Sequence, residues 1–341
     1  MELKVGVEVP FLDKVADYVA SGIGGAAGPF LVAWKASKDA EAKRITARAE
    51  AETLRILAEG HSDALEIVAK ATADTRELLS GPQTEFQTQI TLGEMVVQKI
   101  QFQEEKRLAN QLSVVKRSIE GDVDRVVTDH EPDHDWTARF FNYIQDVSSE
   151  EMQILWARVL AGEVQWPGET SLRTLSILRN LDSRTAALFR TLCSACVSPR
   201  VEGSGYVDAR VPSLQGDPAT NSLQEFGLNF DSLNVLNEHG LIISDYNSWM
   251  DYKFCVGFTV GPQVHQIPFR YQGHDWVLNP IHQGAIDQEF RLSGVALTRS
   301  GRELSRVVDL QTMEQYTQAL KAYFESRNMQ MTEVNKSDHS E

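Results

Sequence analysis

Residues 35–79 read KASKDAEAKRITARAEAETLRILAEGHSDALEIVAKATADTRELL, and their large apolar residues recur at a fixed spacing of eleven. Ile23, Trp34, Ile45, Ile56, Ile67 and Leu78 form one ladder. Leu57, Val68 and Leu79 form a second beside it, and Leu54 and Leu65 a third. Eleven residues complete three turns at about 3.67 per turn, close to a relaxed α-helix, so the stripe stays on one face of a nearly straight rod with a slight right-handed drift. The segment has no Pro and a single Gly, Gly60, and is otherwise dominated by Ala, Glu, Lys, Arg and Thr. At about 1.5 Å per residue the helix would reach about 68 Å. A long helix with one apolar stripe needs a partner, so the stripe Ile45, Ile56, Ile67, Leu78, Leu57, Val68 and Leu79 is read as an oligomerisation surface.

Working outward, Ser80-Gly81-Pro82 stops the rod, since Gly suits a helix C-cap and Pro cannot continue one. From Thr84 to about Val127 a second long helix is expected, its later apolar residues Leu108, Leu112, Val115, Ile119, Val123 and Val126 stepping by four and three. Two long helices joined by a Gly-Pro turn predict an antiparallel hairpin over 35–128. The mismatch between the two repeats favours a bundle or a ring of hairpins over one extended coiled coil.

Upstream, residues 1–9 alternate as a short strand would. Residues 10–34, PFLDKVADYVASGIGGAAGPFLVAW, form a Gly-rich apolar segment. Asp13, Lys14 and Asp17 make a stable transmembrane helix costly. Two readings stay open: a helix whose small residues allow close packing, or a segment that enters a membrane conditionally. Gly22, Gly24, Gly25, Gly28, Phe30 and Trp34 carry either reading.

Downstream, 129–200 predicts a compact helical domain behind an acidic linker, TDHEPDHD. His130 and His134 invite a metal there, but Pro132 between them disfavours the helix that would align them. Ser148 with Glu151 reads as a capping box, Ser171 as a second cap, and Asp182 or Ser183 as a third. Over 201–327 short β-rich runs, GYVDARV, LIISDY, KFCVGFTV, QIPFRY and GVALT, alternate with turn clusters. A helix before LIISDY and the run Leu297-Thr298-Arg299-Ser300-Gly301-Arg302-Glu303-Leu304 at the end predict a winged-helix-like α+β domain with a final helix near 311–327. Residues 328–341 are expected to be a disordered tail. The fold class is thus mainly α: a long antiparallel helical hairpin, a compact helical middle domain and a C-terminal α+β winged-helix-like domain.

The formal net charge of −15 repels phosphate backbones, so nucleic-acid binding is not expected. The acid concentrates in 129–170 and 201–330, while 171–200, with Arg173, Arg179, Arg184, Arg190 and Arg200, is basic. The three cysteines suit a reducing compartment, and the lone pair Cys193 and Cys196 has no second ligand pair for zinc. The chain lacks the phosphate-binding, nucleophile-elbow and zinc-protease motifs. His265, His274, Asp275 and His282 are the only polar grouping worth naming as a site, and they are read as solvated loop residues. No catalytic residue, cofactor or metal is expected; the reading is of a cytoplasmic, non-enzymatic protein, peripheral to a membrane if 10–34 acts there.

Three stretches together carry a resemblance: GIGGAAGPF followed by the rod ending LRILAEG, then DVSSEEMQILWARVLAGE at 146–163 with PGETSLRTLSILRNL at 167–181, then ALTRSGREL at 296–304. The chain resembles the domain of unknown function 2806 (DUF2806) family over nearly its whole length, and its middle stretch is also similar to the abortive-infection alpha family. The resemblance implies anti-phage immunity, as in jumbo-phage-killer (Juk) two-gene systems. There a YaaW-like partner senses early infection and recruits the 2806-type protein to the membrane-bounded early phage compartment. The resemblance gives that setting and that partner; with the hairpin and the Gly-rich segment, the reading is an antiviral effector that assembles as a homo-oligomer through its coiled-coil hairpin and destabilises that compartment. A structural adaptor scaffold without membrane activity is the alternative.

Overall fold

A computed structural model describes residues 10–23, 83–120, 127, 130–201, 205–206, 208–214, 222–260, 263–282 and 289–334. The rod at 35–79, with its whole apolar stripe, lies outside the described residues, as do residues 1–9, Gly24, Gly25, Gly28, Phe30 and Trp34. The chain divides into two compact units, 1–168 and 169–341, a boundary inside the segment 129–200.

The first unit is helical. α1 (Pro10–Ile23) starts at a Pro, which suits a first helical turn. α2 (Gln83–Ile119) is 37 residues long. It ends at Ile119, short of the expected Val127, which is not helical. α3 (His134–Ile144) is capped by Asp133, whose carboxylate accepts from the Trp136 N–H at 3.0 Å. The linker carboxylate therefore starts a helix. α4 (Glu150–Gln165) begins after Ser149, not Ser148, and Ser149 makes no side-chain capping bond; Glu150 and Glu151 instead place charge against the helix's positive end. Gly162 lies inside α4. The core of this unit is aromatic: Trp136 stacks on Phe140 at 4.9 Å, Phe140 meets Trp156 edge-on at 5.5 Å, and Tyr18 meets Trp136 at 6.0 Å. Val114, Val115 and Ile119 of α2 are buried with them.

The second unit is mixed. α5 (Leu172–Arg179) is capped by Ser171, as the sequence predicts, and α6 (Ser183–Ser194) by Asp182, one of the two candidates. The hydrogen bond from the Thr185 N–H, 2.6 Å, holds the Asp182 carboxyl below its usual range. Three antiparallel sheets follow. The largest has the order β10-β8-β7-β1-β2, from Met329–Glu333, His274–Pro280, Phe269–Tyr271, Ser198–Val201 and Gly205–Tyr206. The second has the order β3-β9-β4, from Arg210–Pro212, Arg291–Ala296 and Trp249–Asp251, and the third pairs β5 (Phe258–Val260) with β6 (Gln263–His265). The helices of this part are α7 (Phe230–Glu238), α8 (Lys253–Val256), α9 (Arg299–Ser305) and α10 (Glu314–Ser326).

Several strand expectations change. KFCV is one helical turn, α8, ended by Gly257 at φ 122°. LIISDY contributes only a bridge, Ile242 to Leu297. Residues 329–333, expected in the tail, form β10, whose Met329 and Met331 are buried.

The run Leu297–Leu304 has a physical reading. Leu297 and Leu304 are buried, and Thr298 caps α9 by accepting from the Gly301 N–H at 3.1 Å while donating to the Gly240 carbonyl at 2.6 Å. Gly301 has no side chain because α9 crosses the backbone at Leu241: a Cβ there would lie 2.1 Å from that carbonyl oxygen.

Candidate assembly site

In the first unit the amphipathic pattern of α1 decides its docking. Phe11, Val15, Tyr18 and Val19 recur at helical spacing and are all buried, α1 lying on α3 and α4. The Tyr18 hydroxyl donates to the Glu163 carbonyl at 3.3 Å, and burial pushes the phenol pKa well up. Ser21 Oγ and His134 Nδ1 share a hydrogen bond of 2.9 Å, and Lys14 Nζ donates to the His130 carbonyl at 3.3 Å. Gly22, one of the residues read as a membrane or assembly position, seats α1 against Phe141, whose ring occupies the place of a Cβ.

The C-terminal part of α2 is tied to α3 and α4. Asn110 Nδ2 donates to the Gln145 carbonyl at 2.8 Å and Gln111 Nε2 to the Phe141 carbonyl at 2.9 Å. These amides satisfy carbonyls at the C-terminal end of α3 that have no partner within their own helix. Ser113 Oγ donates to Gln153 Oε1 at 2.7 Å, tying α2 to α4.

Toward its N-terminal end the same helix is uncovered among the described residues. Met95, Val96, Ile100 and Phe102 are exposed, Phe102 at 68 %. At about 100° per residue, Met95 and Phe102 share one side and Val96 and Ile100 another, the pairs about 130° apart. Val114 and Ser118, both buried, lie eighteen positions beyond Val96 and Ile100, five full turns along the same side. The face that α3 and α4 cover lower down thus continues upward without cover, and a second apolar side accompanies it. Neither the heptad nor the eleven-residue spacing singles these four residues out; the signal was their crowding within eight positions of an otherwise polar stretch.

The other sequence-predicted groups do not converge. His274 Nδ1 pairs with Glu333 across β8 and β10 at 2.7 Å, and the His282 backbone N–H donates to Asn328 at 3.2 Å. Among the described residues no three His, Cys, Asp or Glu side chains group as a metal site. Burial raises all three thiols, Cys196 to about 12, so they are neutral and poor nucleophiles at physiological pH. Two buried charge clusters were not legible beforehand. Asp208 accepts from Arg210 Nε and from the Tyr252 hydroxyl at 2.9 Å, while Arg210 Nη1 donates to the Ser248 and Leu292 carbonyls at 2.6 and 3.1 Å. Glu303 of α9 accepts from the Ser171 N–H at 2.8 Å, Thr174 Oγ1 at 2.6 Å and Arg299 Nε at 2.8 Å, joining α9 to the start of α5. Both clusters join elements of the fold through their own side chains and carbonyls.

No described helix is long and apolar enough to cross a membrane. The architecture defines a mainly helical protein of two units, with small antiparallel sheets in the second. The chain belongs to the family described as Protein of unknown function (DUF2806), whose profile matches residues 94–321, from the exposed reach of α2 into α10. No curated protein and no solved structure gives a significant match.

Proposed function

We propose that this protein is a non-enzymatic assembly protein of anti-phage defence, which brings copies of itself together through the exposed reach of α2 and the apolar stripe of residues 35–79. The observation that carries the proposal is the pair of uncovered apolar sides at 95–102. A helix apolar on two sides belongs inside a bundle. Two sides ask for two neighbours. The stripe Ile45, Ile56, Ile67 and Leu78 joins α2 through Ser80-Gly81-Pro82, so the rod folded back as an antiparallel hairpin is the first neighbour and another copy of the chain is the second. The defence setting rests on the resemblance to Juk effectors, with a YaaW-like protein as the recruiting partner.

The winged-helix-like reading of 201–327 is supported by the sheet order β3-β9-β4, with α7 between β3 and β4 in sequence. α7 carries Asp231 and Glu238 and no Lys or Arg. That charge suits a protein partner better than a phosphate backbone. The mass in solution tests the assembly: the wild type should be a discrete oligomer, and a Met95→Glu, Phe102→Glu variant should be smaller. A monomeric wild type, or a variant of unchanged mass, overturns it.

Destabilisation of a membrane through 10–34 is the second reading, favoured by the glycine content around Gly24, Gly25 and Gly28. It requires α1 to give up the burial of Phe11, Val15, Tyr18 and Val19. Liposome leakage by the wild type, lost in a Gly24→Asp, Phe30→Asp variant, supports it; equal leakage from both, or none from either, leaves the scaffold alone.

A further inference from the structure

The second unit contains an open cavity of about 310 Å³ whose wall joins the end of α6, β1, the turn between β7 and β8, and the end of α9 with the residues after it. Two guanidiniums line it, Arg270 from β7 and Arg306 from just past α9, and no acidic residue does. Glu169 reaches Arg306 at 2.9 Å from outside the wall and is itself half exposed. In a chain of net charge −15, a wall with positive groups alone is a local inversion of sign.

The cavity's other surfaces suit an anion. Cys193 and Cys196 line it, and burial, which raises Cys193 well up and Cys196 to about 12, keeps both thiols neutral, so they set no negative charge against the arginines. The turn behind Arg270 is rigid. Gln272 and Gly273 take φ 49° and 83°, the signature of a tight two-residue hairpin. The Gln272 amide donates to the Tyr271 hydroxyl at 2.9 Å and to the Ser194 carbonyl at 3.3 Å, and Tyr271 Oη shares a hydrogen bond of 2.8 Å with Thr317. An arginine on a fixed strand loses little freedom on meeting a ligand, and its planar fork matches the oxygens of a phosphate.

We propose that this cavity binds a small phosphomonoester, gripped between the guanidiniums of Arg270 and Arg306. Its volume is at the small end of ligand sites, enough for a phosphate with a compact substituent and too little for a length of nucleic acid. The same headgroup chemistry occurs on a soluble metabolite and on a phosphatidate surface.

Calorimetric titration of the full chain with glycerol 3-phosphate and with inorganic phosphate tests the site, with flotation on phosphatidate or phosphatidylcholine vesicles beside it. Saturable binding is expected, weakened at least about tenfold by Arg270→Gln and by Arg306→Gln. Arg306→Lys, which keeps a charge opposite Glu169 but loses the fork, should fall between, and Arg291→Gln, stacked on Trp249 away from the cavity, should bind as the wild type does. Flotation on phosphatidate alone, lost in Arg270→Gln, identifies a lipid headgroup as the source; binding of the soluble ester without flotation identifies a free metabolite. No saturable binding of any of the three phosphate probes by the folded wild type, or equal binding by every variant, overturns the proposal.

Discussion

Two glycines in helices should respond to alanine with opposite signs. On helix propensity alone, Gly→Ala in a helix interior stabilises by about 1 kcal/mol. At Gly162 of α4 nothing lies within 4 Å of the added Cβ, so that gain should appear nearly whole, about 0.5–1 kcal/mol. At Gly301 the Cβ would stand 2.1 Å from the Leu241 carbonyl oxygen and 3.2 Å from the Leu297 Cβ. The first distance is roughly 1 Å short of a tolerable contact, and the obstacle is backbone, which cannot rotate aside. α9 must lift. Overpacking of this kind costs about 1–3 kcal/mol. The lift also stretches Thr298 Oγ1 to the Gly240 carbonyl, 2.6 Å, and the Thr298 N–H to the Leu241 carbonyl, 3.0 Å, at about 1 kcal/mol each. Net of the propensity gain, Gly301→Ala should destabilise the second unit by about 3 kcal/mol. With a urea slope of about 1–3 kcal/mol per molar, the midpoint falls by about 1 M or more. Hydrogen exchange should locate the loss in α9 and at the start of α5, which Glu303 joins. A Gly301→Ala midpoint equal to or above the wild type would refute the reasoning, since propensity would then outweigh the crossing.

Other consequences follow from the buried polar groups. Asp208→Ala leaves Arg210 buried without its carboxylate and should cost about 3–5 kcal/mol, against about 1 kcal/mol for Tyr252→Phe; equal urea midpoints for the two variants would count against the cluster. Cys255, fully buried and away from the cavity that Cys193 and Cys196 border, should resist Ellman's reagent at pH 8 in the native protein and react on unfolding; rapid native labelling of Cys255 would contradict its burial. Burial alone would raise the Glu303 carboxyl, but hydrogen bonds from Thr174, Ser171 and Arg299 outweigh it and hold it below the usual carboxylate value. Its stabilisation is therefore present above the unfolded carboxyl pKa, near 4.3, and is lost as pH falls through the lower folded value. Glu303→Gln should flatten the acid limb of a stability–pH curve, and an unchanged limb would refute the assignment.

Much of the helical half was legible because its signals are local. Ser171 caps as its spacing predicts, Asp182 is one of the two candidates for the next cap, and Phe11, Val15 and Val19 point inward as a helical face should. The errors share a cause. KFCVGFTV is β-rich in composition, yet Gly257 at φ 122° breaks it after a helical turn, and LIISDY is reduced to one bridge because its partner, β9, pairs mainly with β3 and β4. Residues 329–333 look like a tail, and become a strand only because β8 offers an edge about fifty residues earlier in the chain. Pairing between distant segments leaves little trace in short runs. The same holds for the Arg270 and Arg306 cavity, whose walls come from segments as far apart in sequence as Cys193 and Leu310.

The assembly proposal carries a salt dependence that separates it from an electrostatic alternative. The segments 35–80 and 81–128 are each within one unit of neutrality, so neither like-charge repulsion nor attraction should dominate their meeting. Burying one two-residue side, Met95 with Phe102 or Val96 with Ile100, from each of two copies yields about 1.5–3 kcal/mol per side chain, a gross gain of about 6–12 kcal/mol per pair of chains. Association itself costs about 4–15 kcal/mol in lost freedom. The four side chains therefore sit near break-even, and a stable oligomer needs the eleven-residue stripe of 35–79 as well. Two results are expected. An Ile56→Asp, Ile67→Asp variant should dissociate as readily as Met95→Glu, Phe102→Glu. The wild-type mass should be the same at 50 mM and 500 mM salt, because apolar burial is not screened. An oligomer that survives either variant intact, or that falls apart at high salt, would place the holding force somewhere other than these apolar sides.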